Sequence, residues 1–189
     1  MKIILGSQSK NRKKVLEEMG VDFEVLTADI DEKAIRLDDP RELVLAIARA
    51  KADALKSKII EPAILITADG VVVWRGKIRE KPENETEARE FLEGYNTHPA
   101  ETVTAVVVTN IQTGKQVEGV GITKVHFKHF SKVKIQALIL NGQVFHLAGG
   151  FNVIGDEWTD HIEKIEGTID SAIGLPRELT RRLIQEVSV

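Results

Sequence analysis

Ile3-Ile4-Leu5-Gly6-Ser7-Gln8-Ser9-Lys10-Asn11-Arg12 is the stretch that decides the fold of this 189-residue chain. Its apolar run turns at Gly6 into polar residues, and apolar residues at helical spacing follow between Val15 and Met19. This pattern predicts a buried strand that turns into a helix starting near Ser9. The sequence therefore indicates an α/β protein that begins with a strand-turn-helix unit.

Polar groups gather at the start of this helix. Ser7 and Ser9 bring hydroxyls, and Arg12 brings a fixed positive charge. The helix N-terminus adds unpaired backbone N–H groups, so the whole set suits an anion such as phosphate. Serine also caps many helices that bind nothing, and the motif alone leaves both interpretations open.

The composition excludes several classes of protein. With 42% apolar and 29% charged residues, the chain is expected to be soluble and globular. A net charge of −3 argues against binding to a nucleic acid polymer, although a small basic pocket for one nucleotide stays possible. The absence of cysteine rules out disulfides, a thiolate nucleophile and cysteine-ligated zinc. The N-terminal apolar run is too short for a signal peptide or a membrane span, so we expect no membrane association and a cytoplasmic location.

Hydrophobic periodicity predicts alternating strands and helices in the first half of the chain. Beyond the opening unit we expect a strand at 23–26, a helix from Pro40 to about 58, strands at 63–67 and 71–74, and a helix after Lys81-Pro82.

The second half begins with a hairpin of strands at 102–109 and 117–127. A helix capped by Ser131 and an irregular acidic segment follow, and a final helix carries Leu179 to Val187. We therefore expect one domain over 1–189 without a separable linker. Its architecture is a mixed twisted sheet with flanking helices, in two lobes around a central cleft.

Lys51 is a charged residue on an otherwise apolar helix face. It shares that face with Val44, Ile47 and Ala48 by helical spacing. A lysine there either extends its ammonium along its neighbours to water or points into a cleft that holds a phosphate.

Asp69 is predicted to lie in a turn that ends a buried strand. Ligands bind at the carboxyl ends of strands in α/β sheets, although an aspartate in that place also forms ordinary turns. Glu32, in an acidic loop, is the best partner, since two carboxylates beside a polyphosphate suit a hydrated Mg²⁺. Lys77 and Lys81 follow closely and are expected to offset the remaining phosphate charge.

A series of short motifs, in this order, resembles the Maf family of nucleoside triphosphate pyrophosphatases over essentially the whole chain. The motifs are Gly6-Ser7-Gln8-Ser9 with Arg12, Asp29-Ile30-Asp31-Glu32, Ala50-Lys51-Ala52, Thr67-Ala68-Asp69, Lys81-Pro82, Ala148-Gly149-Gly150, Ile165-Glu166-Gly167 and Gly174-Leu175-Pro176. The resemblance implies a fold like that of inosine triphosphatases and a homodimer. It also implies Mg²⁺- or Mn²⁺-dependent hydrolysis of a nucleoside triphosphate to the monophosphate and pyrophosphate. Family members act on dTTP, UTP, CTP or modified nucleotides such as 7-methylguanosine triphosphate, and are linked to nucleotide-pool cleaning and to arrest of cell division.

Carried over by position, the resemblance makes Asp69 the proton acceptor for the attacking water and a metal contact. The metal and the triphosphate would be held by Ser7, Ser9, Arg12, Glu32, Lys51 and Lys81. Water would attack the α-phosphorus in line, and positioning and charge neutralisation would supply most of the rate.

The chain departs from the family pattern where the base is selected. Lys10 and Asn11 stand where proline and a first arginine are usual, Gly70 replaces a hydroxyl residue, and Ile154 replaces a glutamine. We therefore take Arg12, Gly70 and Ile154 as specificity positions and expect pyrophosphohydrolysis without strict dTTP/UTP preference. The alternative is a catalytically weak nucleotide-binding regulator of cell division.

Overall fold

A seven-stranded mixed sheet with flanking helices forms the framework of residues 1–188, which are the residues that the computed structural model describes. The strands are β1 (Lys2–Leu5), β2 (Glu24–Val25), β3 (Ala63–Trp74), β4 (Lys77–Arg79), β5 (Ala100–Asn110), β6 (Gln116–Phe127) and β7 (Ile162–Glu166). The helices are α1 (Lys10–Glu18), α2 (Pro40–Lys56), α3 (Glu85–Gly94), α4 (Lys132–Asn141), α5 (Asp156–Thr159), α6 (Ile169–Ala172) and α7 (Arg177–Val187). The fold class expected from the sequence is confirmed.

Strand order in the sheet is β2-β1-β3-β5-β6-β7, with β4 paired to β3. β1 runs parallel to both of its neighbours, with Ile4 opposite Glu24 on one side and Leu65 on the other. β4 and β7 instead pair antiparallel, to β3 and β6 respectively. The strand that opens the chain therefore has a parallel neighbour on both sides.

The chain divides into two compact units, which agrees with the expectation of two lobes. Unit one comprises Met1–Gly70, Thr104–Gly121 and the residues from Ile173 onward, and unit two comprises Val71–Val103 and Ile122–Ala172. The boundaries fall inside β3, β5 and β6. The single domain over 1–189 and the cleft stay predictions.

The core of unit one joins α1 and α7 to the sheet. Val15 and Leu16 of α1 share a buried cluster with Ile66 of β3 and with Leu183 and Val187 of α7. Val15 and Leu16 are adjacent on the inner face of α1, as the helical spacing predicts. This packing fixes the start of α1 against the strands, and the start of α1 is where the anion site is expected.

Both helices that carry candidate site residues begin with a side-chain cap. Ser9 Oγ accepts a hydrogen bond from the Arg12 backbone N–H at 3.5 Å, at the start of α1. At the start of α2, Asp39 accepts bonds from the backbone N–H groups of Arg41 and Glu42 at 2.8 and 3.0 Å. Pro40 occupies the first turn of α2, as expected, because the missing N–H has no partner there anyway.

Unit two is organised around aromatic side chains. Tyr95 lies 5.5 Å from Phe127 and 5.3 Å from Phe151 between ring centroids, and Phe127 also contacts Phe130. The predicted apolar stripe of α3 is confirmed, since it buries Ala88, Phe91 and Leu92, with Tyr95 following as its cap. The Tyr95 hydroxyl donates to the Gly149 carbonyl at 2.7 Å and so ties α3 to the 148–150 segment.

Two predicted features are wrong. The strands expected at 63–67 and 71–74 are one continuous strand, β3, and Asp69 lies inside it instead of in a turn. Ala68-Asp69-Gly70 resembles a turn, but Ala68 and Asp69 are buried, and this tertiary packing overrides the local turn preference. The acidic segment expected to be irregular contains β7, whose partly exposed Ile-Glu-Lys-Ile-Glu sequence gives a weak strand pattern until it pairs with β6.

Within residues 1–188, no helix combines the length and apolar character that crossing a membrane requires.

Candidate active site

Lys51 joins two carboxylates in unit one. Its Nζ lies 2.7 Å from Asp69 Oδ1 and 3.1 Å from Glu32 Oε1. Lys51 and Asp69 are each 8% exposed, whereas the Glu32 side chain is about half exposed. The structure thus turns Lys51 into the protein and brings Glu32 and Asp69 together.

The position of Lys51 follows from the packing of α2 on β3. The Thr67 hydroxyl donates to the Ala48 carbonyl at 2.8 Å, and both groups are buried. Ala48 is three residues before Lys51 on the same helix face, and Thr67 is two residues before Asp69 on the same strand. This bond therefore fixes the register that brings the lysine to the aspartate. No local sequence pattern assigns Thr67 this role.

Asp69 lies between the part of β3 that pairs with β1 and the part that pairs with β4. The parallel register with β1 ends at Leu5 opposite Ile66, and the antiparallel register with β4 starts at Val72. The carboxylate therefore lies just beyond the carboxyl end of β1, where the chain turns towards α1. The strand end next to Asp69 is thus that of β1, since β3 itself continues, and a ligand site there stays a prediction.

The turn after β1 is held tightly against β3. The Gly6 N–H donates to the Ile66 carbonyl at 2.8 Å. A Cβ at Gly6 would lie 2.6 Å from Thr67 Cγ2 and 2.9 Å from Leu55 Cδ1, so this place accepts only glycine without rearrangement. The close approach brings Ser7 next to the strand that carries Asp69.

Ser7, Ser9 and Arg12 form one hydrogen-bonded group. Ser7 Oγ accepts bonds from the Ser9 backbone N–H at 3.2 Å and from Arg12 Nη1 at 3.1 Å. Arg12 Nε donates to the Gly174 carbonyl at 2.9 Å. The role of Gly174 was not foreseen, because no local pattern links residues 162 positions apart.

The charge of Arg12 and the charges of Lys51, Asp69 and Glu32 influence each other. Burial raises the pKa of Asp69 above its ordinary value, while the positive charges of Lys51 and Arg12 oppose that rise and Glu32 adds to it. Burial lowers the pKa of Arg12, and the negative charges of Asp69 and Glu32 oppose that change. The site therefore combines a desolvated carboxylate, which can accept a proton, with cations that attract an anion.

The remaining predicted residues lie elsewhere in the chain. Lys77 and Lys81 belong to unit two, are exposed, and line a cavity of about 570 Å³ together with Trp74 and Arg79. Ile154 is a partly buried residue of unit two. Gly70 follows Asp69 directly and is exposed. The contacts of Lys77, Lys81 and Ile154 with a nucleotide stay predictions.

The donor set at this site suits a hydrated Mg²⁺ or Mn²⁺. No group of three or more histidine, aspartate or glutamate side chains is placed to hold a metal within residues 1–188. Asp69 and Glu32 nevertheless converge on one cation, the Lys51 ammonium. Mg²⁺ in phosphate-transfer sites takes one or two carboxylates and completes its shell with waters and substrate oxygens, so two carboxylates fit.

The fold resembles that of a solved structure, the Ham1 protein. The structure of the Staphylococcus aureus Ham1 protein matches with a TM-score of 0.50 at 12% identity, over 98% of this chain and 97% of that one. At such low identity the likeness shows the fold alone, which is the inosine triphosphatase-like fold expected from the sequence.

Sequence comparison then gives the family. The Maf-like protein family matches residues 2–187, so the chain belongs to that family. A 7-methyl-GTP pyrophosphatase of Dictyostelium discoideum is 48% identical, over 98% of this chain and 97% of its own length. A nucleoside triphosphate pyrophosphatase of Synechococcus and a dTTP/UTP pyrophosphatase of Alkaliphilus metalliredigens are each 32% identical, over 98% and 93% of this chain and over 93% and 90% of their own lengths.

Proposed function

We propose that this protein is a nucleoside triphosphate pyrophosphatase, a hydrolase that converts a nucleoside triphosphate to the monophosphate and pyrophosphate. The observation that carries the proposal is the buried Lys51–Asp69 pair, which Arg12 influences electrostatically from the start of α1. A desolvated carboxylate within a group of cations is what hydrolysis of a polyphosphate requires. The activities named for the relatives agree with this proposal.

Asp69 acts as the general base in this reaction. Its pKa, raised by burial, favours acceptance of the proton that the attacking water releases. Lys51 keeps the carboxylate oriented by its 2.7 Å contact. Arg12 and the N–H groups at the start of α1 bind phosphate oxygens.

Mg²⁺ or Mn²⁺ is the cation that this proposal includes. Asp69 and Glu32 would hold it, because their oxygens already converge on one positive charge. When bound, the cation supplies charge neutralisation at the phosphate oxygens. Loss of activity on chelation, restored by added Mg²⁺ or Mn²⁺, is the test.

7-Methyl-GTP is the substrate that we propose for this site. The relative named for that activity is 48% identical, compared with 32% for the relative named for dTTP and UTP. Gly70 and Ile154 also lack the hydroxyl and amide groups that the family pattern has at these positions. A base edge has fewer hydrogen-bond partners there, which disfavours strict dTTP/UTP recognition.

Pyrophosphate release across a panel of nucleoside triphosphates tests the whole proposal. The panel contains 7-methyl-GTP, GTP, dTTP, UTP and CTP, each with Mg²⁺ and then Mn²⁺, with Asp69→Asn as the inactive control. We expect release that is fastest with 7-methyl-GTP. Nucleotide binding without release would instead support the catalytically weak regulator, and a preference for dTTP or UTP would overturn the substrate assignment.

A homodimer, which family membership supports, and a cytoplasmic location, which the short N-terminal apolar run supports, complete the proposal. Light scattering behind a sizing column tests the first, with twice the 21.0 kDa chain mass expected. Cell fractionation tests the second.

A further inference from the structure

The Gly174-Leu175-Pro176 motif contacts the anion-binding arginine, although the reaction proposed above assigns it no role. The Gly174 carbonyl accepts the Arg12 Nε–H at 2.9 Å. Arg12 Nη1 donates to Ser7 Oγ at 3.1 Å. The Arg12 guanidinium is therefore held by two acceptors, Ser7 Oγ, which precedes α1 in the chain, and the Gly174 carbonyl, which lies far after it.

The Gly174 carbonyl is fixed relative to α1. Leu175 is fully buried, in the same cluster as Val15 and Leu16 of α1. Pro176 follows with its restricted φ, and its carbonyl accepts the buried Thr180 hydroxyl at 2.8 Å. The acceptor and the helix that carries Arg12 thus move together, and the hydrogen bond holds the side chain in one orientation.

Held in this way, Arg12 pairs with neither neighbouring carboxylate. No ion pair within residues 1–188 joins it to Asp69 or Glu32, although both carboxylates act on its charge. A guanidinium free to rotate would be drawn to them, since opposite charges attract strongly in a desolvated site. The N–H groups that Gly174 and Ser7 do not use are left for an incoming anion, and the planar guanidinium suits two phosphate oxygens.

We infer that Gly174 is a positioning residue for the reaction. Its carbonyl orients the Arg12 guanidinium so that the free N–H groups meet the phosphate oxygens of the substrate instead of the carboxylates of the site. This inference rests on the proposed function, since it concerns the same site and explains how the Arg12 guanidinium is oriented there.

Glycine is favoured at this position by its backbone conformation. Its φ of 104° lies in a region that other residues rarely adopt. A Cβ would lie 3.4 Å from Arg12 Nε and 3.6 Å from Nη2, which is ordinary van der Waals contact, so the strain of a substitution comes from the backbone. In Gly174→Ala, rotation of the peptide relieves the backbone strain and moves the carbonyl away from Arg12 Nε.

A matched pair of substitutions separates the effect of positioning Arg12 from the effect of backbone strain at a positive φ. Gly114 also has a positive φ, of 75°, and a Cβ there would meet nothing within 4 Å. We expect Gly174→Ala to lower kcat/KM by about 10-fold to 100-fold, because a small misplacement of a binding group is costly. Gly114→Ala should keep wild-type kinetics. Equal kinetics in the two variants would overturn the inference.

A double-mutant cycle with Arg12 tests whether Gly174 acts through it. In an Arg12→Met background, Gly174→Ala should cause no further loss of kcat/KM, whereas independent losses that multiply would show a general structural role. Arg12→Lys covers the case in which Gly174→Ala does not fold, because lysine keeps the charge and lacks the planar fork. Wild-type kinetics in Arg12→Lys would contradict the inference.

Binding of inorganic tripolyphosphate, measured by calorimetry, provides a readout that needs no turnover. We expect Gly174→Ala to weaken it and Gly114→Ala to leave it unchanged. If the wild type releases no pyrophosphate from any nucleotide, the proposed function fails, and the calorimetry still decides on Gly174. If the wild type is active and the two alanine variants bind tripolyphosphate equally, the inference alone fails.

Discussion

Lys51 Nζ lies 2.7 Å from Asp69 Oδ1, and both of these side chains are almost completely buried. A charge pair at this depth is expensive to desolvate, so stability alone is a poor reason for it. Its arrangement suits catalysis better, because the lysine keeps an ionised carboxylate in place while burial makes that carboxylate a stronger base. In this geometry Asp69 accepts the proton, and Lys51 holds the Asp69 carboxylate in the orientation for doing so.

Replacing Asp69 with asparagine should abolish most of the turnover while keeping the fold. The amide matches the carboxylate in shape and still accepts a hydrogen bond from Lys51, but it cannot take a proton from water. Loss of a general base lowers turnover by roughly 10²–10⁴-fold. Steady-state pyrophosphate release measures this, with circular dichroism as the check on folding. Near-normal turnover in a folded variant would remove Asp69 from the role of base.

Replacing Lys51 with methionine should shift the acid limb of the pH profile to higher pH. The ammonium lowers the pKa of Asp69 against the effect of burial, so its removal raises that pKa further. Because the base must be ionised, kcat/KM then falls at a higher pH as acid is added. The profile of kcat/KM against pH, compared with that of wild type, is the measurement. An unshifted or acid-shifted limb would contradict the assignment.

Much of the fold could be predicted from local patterns. The caps at Ser9 and Ser131, the proline at the start of α2 and the spacing of apolar residues gave the major helices, because these signals act within a few residues. The turn predicted at Asp69 is wrong because glycine after aspartate is a strong turn signal, whereas the segment lies inside β3. Whether such a segment extends depends on burial by distant elements, which sequence alone does not reveal.

The sequence indicates candidate residues for the site more readily than the contacts among them. Lys51 can be selected because a charged residue on an apolar face needs an explanation, and Glu32 because it lies in an acidic loop and offers a second carboxylate beside Asp69. The bond from Arg12 to the Gly174 carbonyl had no such signal. A backbone acceptor carries no side-chain identity, and its contact depends on how α7 and α1 pack in the finished core.

Arg79 should contribute substantially to the stability of the protein. It is 4% exposed, its guanidinium lies 4.0 Å from the Trp74 ring and 4.5 Å from the Phe91 ring, and Nη1 donates to the Phe91 carbonyl at 2.9 Å. Arg79→Met removes a desolvated cation–π contact and a charged hydrogen bond, which together are worth about 2–4 kcal/mol of unfolding free energy.

Urea denaturation of Arg79→Met measures this loss, and Arg75 offers a matched control. Arg75 also lies over the Trp74 ring, at 5.5 Å, but it is exposed. Arg75→Met should change the unfolding free energy by less than about 0.5 kcal/mol. Equal changes in unfolding free energy for Arg79→Met and Arg75→Met would show that the buried contacts of Arg79 add no stability beyond those of an exposed arginine.

Tyr95 should titrate far above an ordinary tyrosine and make the fold sensitive to alkali. Burial raises its pKa from 10.0 to about 12, and its hydroxyl donates to the Gly149 carbonyl at 2.7 Å. Between these two values the unfolded chain releases the proton while the folded chain retains it. Stability is therefore complete below pH 10.0 and declines as the pH rises towards about 12.

Because Tyr95 is the single tyrosine of the chain, tyrosinate absorbance reports on it alone. The native protein should give a midpoint near the raised pKa, and the protein in concentrated urea should give one near 10.0. Tyr95→Phe removes the ionisable group, so the difference in unfolding free energy between wild type and this variant should shrink as the pH rises through the same window. A native midpoint close to that of the unfolded chain would mean that the hydroxyl is open to solvent, and the tie from α3 to the 148–150 segment would then be absent in solution.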